Sequence, residues 1–135
     1  LIKDTPQQNF NTEFLQVEVN TLDNLFKDLE VIDLMKIDIE GYELIALQGG
    51  KNILKKVKNL LIEFSPHLWE KPYKDSLSFF KILENSGLEP NILDSGSLKK
   101  INNSELKEIL EFIKYGNLNE IPFDKIQKDL IFTKS

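Results

Sequence analysis

The chain has 135 residues, 41% of them hydrophobic and 29% charged, with a net charge of −5 and no cysteine. That is enough for one domain with a real core but short for a complete two-layer enzyme fold, and it excludes disulfides and thiolate metal sites, as fits a reducing, cytoplasmic setting. The lysines are interleaved with acids in no basic stripe, which argues against a nucleic-acid partner, and no apolar run approaches the roughly 20 residues of a membrane span.

The chain opens on Leu1 rather than methionine and carries no signal peptide, so a piece of a longer product is expected. Residues 1–13 are polar, contain Pro6 and read as loop. Residues 14–20, FLQVEVN, alternate apolar and polar side chains and predict a half-exposed edge strand. Thr21 has the form of an N-cap for a helix in which Leu22, Leu25, Phe26 and Leu29 recur at helical spacing. A strand is expected over 32–39 and a helix over 42–56, which Gly49-Gly50 should kink or divide. Lys55, Lys56 and Lys58 form the densest basic cluster, at a helix end where lysines complement the dipole.

The short apolar run at 59–66 predicts a strand buried on both faces. A helix opening at Asp75 or Ser76 should turn Leu77, Phe80 and Leu83 inward and stop at Gly87. LEPNILD predicts a short strand, 104–115 an amphipathic helix and 129–134 a last strand. Strands alternating with helices of this length predict parallel βαβ units in an open, doubly wound sheet. About three inner strands plus edges make half such a sheet, whose uncovered edge and face call for the missing half or a second copy of the chain.

The stretch LMKIDIEGYE places Lys36, Asp38 and Glu40 at alternate positions of a strand that ends at Gly41. In an open parallel sheet ligands bind outside the carboxyl ends of the strands, where Asp38 and Glu40 fall and where Glu63 falls on the next strand. Neighbouring strands run about 4.8 Å apart, so Asp38 and Glu63 are expected to share a proton, a cation or a substrate hydroxyl. The plain alternative makes Lys36 and Asp38 a structural ion pair and lets Glu40 and Glu43 merely suit the N-terminus of the next helix. Glu63, flanked by Leu60, Leu61, Ile62 and Phe64, is equally open to holding a backbone amide. His67 is the only histidine and a candidate base, while Trp69 and Tyr73 are candidates to wall a pocket or to pack as a lid.

These blocks resemble the C-terminal half of FkbM-type methyltransferases. The resemblance is carried by Thr21-Leu22-Asp23, by Lys36-Ile37-Asp38-Ile39-Glu40-Gly41-Tyr42-Glu43 with Leu47 and Gly49, and by a strand ending in Glu63. It covers residues 17 to about 67, and three ordered blocks agree in spacing. It implies a Rossmann-like, doubly wound fold, with residues 1–135 as the later part of a single domain. The chemistry implied is S-adenosylmethionine-dependent methylation, usually of a hydroxyl, on a glycan or small-molecule acceptor. On this reading Asp38 and Glu40 are expected to bind or deprotonate the acceptor, with Glu63 beside them and His67 as second candidate, and Lys36, Gly41 and Trp69 are expected to support the site. It also leaves room for a divalent cation between Asp38 and Glu63. The glycine-rich turn and ribose-holding acid of such a fold are not in this chain, which has no G-x-G pattern, so the fragment alone is expected to be inactive. Two departures stand out. Many members carry a histidine two positions after the strand-end glutamate, where this chain has Ser65. The Asn-Pro-Pro-Tyr motif of amino-methylating relatives is absent, which favours an oxygen acceptor. A non-catalytic, degenerate domain acting as an interaction module is the competing expectation.

Overall fold

The computed structural model describes residues 15–120 and 127–134. Among them the elements run α1 (Leu22–Leu25), β1 (Ile32–Ile37), α2 (Glu43–Gln48), β2 (Val57–Phe64), α3 (Pro72–Asn85), β3 (Leu88–Asp94), β4 (Ser97–Lys100), α4 (Asn103–Tyr115) and β5 (Lys128–Lys134). The result is a mixed α/β domain whose five strands lie in the order β1-β2-β5-β3-β4.

The expected βαβ connection is present. β1 and β2 are parallel neighbours, with Lys36 opposite Leu61 and Ile37 opposite Ile62. The sheet as a whole is not parallel, however. Ser95 (φ 49°) and Gly96 (φ 84°) form a tight turn that folds β4 back on β3. After α4 the chain returns as β5, antiparallel to both β2 and β3 and lying between them. One two-residue reversal, at a site where glycine relieves the left-handed backbone, thus converts a parallel sheet into a mixed one.

Alternation along the strands decides the layers. Leu60, Ile62 and Phe64 of β2, Leu88 of β3 and Leu130 and Phe132 of β5 are buried against Phe79, Phe80 and Leu83 of α3. Phe64 and Phe79 stand 5.3 Å apart between ring centres, and Trp69 lies edge-on to Phe64 at 5.4 Å. α3 touches both α2 and α4, so the long helices form one layer. The intervening residues, among them Leu34, Lys36, Asn59, Leu61 and Glu63, project to the other face, where Leu34 is 66% exposed. On that face of β2 Val57 and Glu63 are buried, Leu61 is half-buried and Asn59 is exposed, so the expected burial on both faces holds at the ends of the strand and fails at Asn59.

Several boundaries differ from the sequence pattern. Residues 15–20 form no strand: Leu15, Val17 and Val19 are all exposed, since alternation without a neighbouring strand supplies no backbone partners; Phe14 lies outside the described residues. α1 stops after one turn, leaving Leu25 and Leu29 exposed. The Lys56 ammonium donates to the carbonyls of Lys27 and Leu29, which a longer helix would use internally. Gly49-Gly50 divides the expected 42–56 helix into α2 and a 3-10 turn at Ile53–Lys56. A side chain on Gly50 would stand 3.0 Å from Leu22, so α1 packs directly on that break. α3 opens at Pro72, one turn early, because Pro suits the first helical position and Asp75 accepts from the Lys71 amide at 3.0 Å. Its inward residues are Phe79, Phe80 and Leu83, while Leu77 is exposed. α4 keeps its expected span, fixed by a capping box between Asn102 and Glu105.

Candidate functional site

The carboxyl ends of β1 and β2 lie side by side, and the loop after each makes one wall of a cleft of about 370 Å³. The first loop is a tight reversal over 38–42. Glu40 sits in the left-handed region at φ 53° and Gly41 follows at φ 96°. A side chain on Gly41 would approach Cβ of Leu68 to 2.9 Å, so glycine is required there by space as well as by conformation. The reversal leaves Glu40 exposed on the cleft rim with Tyr42, opposite Leu68, Trp69 and Glu70 of the second loop.

The group that holds the reversal is Glu43, the first residue of α2. It is fully buried, and its carboxylate accepts from the amides of Ile39 at 3.0 Å and Gly41 at 3.0 and 3.2 Å. The sequence pattern accounts for Glu43 as a helix-end acid and so misses this role. The usable signal is its spacing, since a carboxylate in the first turn can reach back to the amides that precede the helix.

Lys36, Asp38 and Glu63 stand apart from this cleft, on the other face of the sheet. Lys36 donates to Asp38 at 3.0 Å, and both side chains are substantially exposed. Asp38 beside it, with Asp129 and Glu63 farther off, raises Lys36 above the usual lysine range. Glu63 is buried at the end of β2. It accepts from the Ser65 hydroxyl at 2.8 Å and from the Gln127 side-chain amide. Ser65, where many relatives are expected to carry histidine, is thus a partner of the strand-end glutamate. Carried one step further, the β1–β2 register sets Asp38 opposite Glu63. Among the described residues no three or more His, Asp or Glu side chains form a group able to hold a metal ion.

The remaining candidates separate. Trp69 is 7% exposed and packed between Phe64 and Phe79, so it closes the floor of the cleft as core. Its indole N–H is buried and finds no hydrogen-bond partner among the described residues. His67 lines a second groove of about 630 Å³ with Lys71, Tyr73 and Lys114, across Trp69 from Glu40. A third groove, edged by Lys51, Lys55 and Lys81, lies toward the amino end of β2 and meets the first cleft at Gln48.

The chain matches the methyltransferase FkbM domain over residues 3–118, and it belongs to that family. No curated protein and no solved structure matches it. The family points to methyl transfer and implies S-adenosylmethionine. The described residues do not fit a cradle for that cofactor. The turn after β1 carries a glutamate in the left-handed position, and the space beside Gly41 is filled by Leu68 rather than left open. Gly49 and Gly50 are likewise backed by Thr21 and Leu22. Among the described residues no helix is long and apolar enough to cross a membrane.

Proposed function

We propose that this chain forms the acceptor side of a methyltransferase that methylates a hydroxyl oxygen of a glycan or small molecule. On this reading residues 1–135 are the later part of one Rossmann-like, doubly wound domain. Its cofactor-binding half lies outside them and covers the open edge of β1. The observation that carries the proposal is the left-handed turn that presents Glu40 at a cleft between the carboxyl ends of two adjacent parallel strands. An exposed acid held in an unfavourable backbone conformation is more readily explained by use than by packing.

Methylation of a hydroxyl asks two things of the acceptor side, alignment and removal of the hydroxyl proton. Glu40 offers a carboxylate at the rim, free to accept that proton or to hold a neighbouring hydroxyl. On the other face of the sheet, Asp38 is held by Lys36 and Glu63 is engaged by Ser65 and Gln127, and on this reading they meet the part of the acceptor that extends past the strand ends. His67 belongs to the adjoining groove and is the second candidate for the base. The test is transfer of labelled methyl from S-adenosylmethionine to a panel of monosaccharides, oligosaccharides and small alcohols by the intact protein. Glu40→Gln and Asp38→Asn are expected to lose most turnover while keeping the circular-dichroism spectrum.

The competing reading, an interaction module without catalysis, is favoured by the β1 edge, which pairs with no further strand among the described residues, and by Leu34 at 66% exposure. It predicts that neither substitution matters to the protein's role, and that a second copy or another chain covers that edge.

A further inference from the structure

The turn after β1 is costly on its own terms. A glutamate at φ 53° occupies a region that L-residues other than Asn and Asp seldom enter. The next residue, Gly41, turns its amide inward rather than toward solvent. Such a backbone persists only where its surroundings over-determine it, and here two side chains do so, one of them through hydrogen bonds. The Glu43 carboxylate takes three hydrogen bonds from Ile39 and Gly41, the residues on either side of Glu40, and has no exposure of its own. Leu68, from the loop after β2, blocks the other side of Gly41. The rim acid is thus clamped between a buried carboxylate and an apolar contact, while its own side chain stays exposed.

We propose that Glu43 is a positioning residue. It does not touch the acceptor; it holds Ile39–Gly41 in the one conformation that aims Glu40 at the cleft. The inference rests on the acceptor-side reading above for its catalytic meaning, but its geometric content stands by itself. The two acids of the E-G-x-E stretch then have separate roles, since the first meets the acceptor and the second keeps the first in place. Glutamine at position 43 retains size and one acceptor oxygen, yet even with that oxygen in the place that accepts from both Ile39 and Gly41 it sets an NH2 group against the Gly41 amide, itself a donor, so at least one of the three bonds cannot form.

The experiment is amide hydrogen exchange on the intact protein, wild type against Glu43→Gln, read on peptides spanning residues 38–42 and on peptides from β2 and α3. The expected result is at least tenfold faster exchange in 38–42 with β2 and α3 unchanged. Unchanged exchange in 38–42 overturns the proposal, and so does a uniform loss across β2 and α3, which marks a merely structural residue. If Glu43→Gln does not accumulate in folded form, Glu43→Asp takes its place. It keeps the charge but shortens the reach, and should give an intermediate, equally local acceleration. Turnover adds an independent readout through the double substitution with Glu40→Gln. If Glu43 acts through Glu40, the double variant is no slower than Glu40→Gln alone; multiplied losses contradict it. Should Glu40→Gln alone prove silent, the acceptor-side reading fails, and the exchange result still decides whether Glu43 holds the turn.

Discussion

The two faces of this sheet are built by alternate residues of the same strands and have almost nothing else in common. One carries Leu60, Ile62, Phe64, Leu130 and Phe132 into a core closed by Phe79 and Leu83. The other carries Lys36, Asn59, Glu63 and Asp129, with Leu34 largely in water. A shift of one residue in register would exchange them, so the strands are held in place by their apolar half, leaving the polar half free to be chosen for other reasons. Core packing and the proposed chemistry are thereby divided by parity, except in the loop after β1. There Glu43 is buried on the helical side while Glu40 emerges at the cleft.

The apolar face should be by far the more sensitive to substitution. Phe132→Ala should cost about 3–5 kcal/mol, as large-to-small changes in packed cores do, because Phe132 packs near Phe79 and Phe80 and is almost fully buried; urea unfolding reads this, and a loss below about 1 kcal/mol would contradict the assignment of faces. At the seam, Gly41→Ala should cost about 1–3 kcal/mol through the left-handed backbone and the close approach to Leu68. A thermal scan paired with exchange at 38–42 separates that local effect from global loss. Asp23→Ala removes the carboxylate that accepts from the Asn52 and Ile53 amides, and should cost about 1–2 kcal/mol without touching turnover.

The smallest effects belong to exposed charges. Glu105 is held below the usual carboxylate range, first by the Asn102 amide and then by Lys99. A lowered folded-state value means stability that is present above the unfolded-state value and is lost as pH falls through the folded one. Glu105→Gln should therefore lower stability slightly at neutral pH, flatten the acid limb of the profile, and leave stability below the folded-state value nearly unchanged. On the open face Lys36→Ala should leave the unfolding midpoint where it is, because an exposed pair contributes little. If it lowers turnover nonetheless, the separation of the two faces into stability and chemistry becomes sharper.

Much of the architecture is legible in the residues. The period of α4 announces a helix, and the Gly49-Gly50 pair announces the break after α2. β4 is not legible, because SLKK has no buried face and is ordered by its hairpin to β3 alone. Residues 15–20 fail in the opposite sense, with a clean alternation but no strand. The site divides likewise. Motif spacing brings out Asp38, Glu40 and Glu63. Glu43 stays hidden because an acid in a first helical turn already has an ordinary explanation, and only its burial and its backbone partners distinguish it.

Everything proposed for the site turns on whether the exposed acid of the strained turn acts on an acceptor. The most direct measurement is labelled-methyl transfer by the intact protein carrying Glu40→Gln, with circular dichroism and exchange at 38–42 recorded on the same sample. Turnover should fall at least tenfold, with fold and turn intact. Transfer at the wild-type rate from a protein with that turn intact would contradict the role given to Glu40.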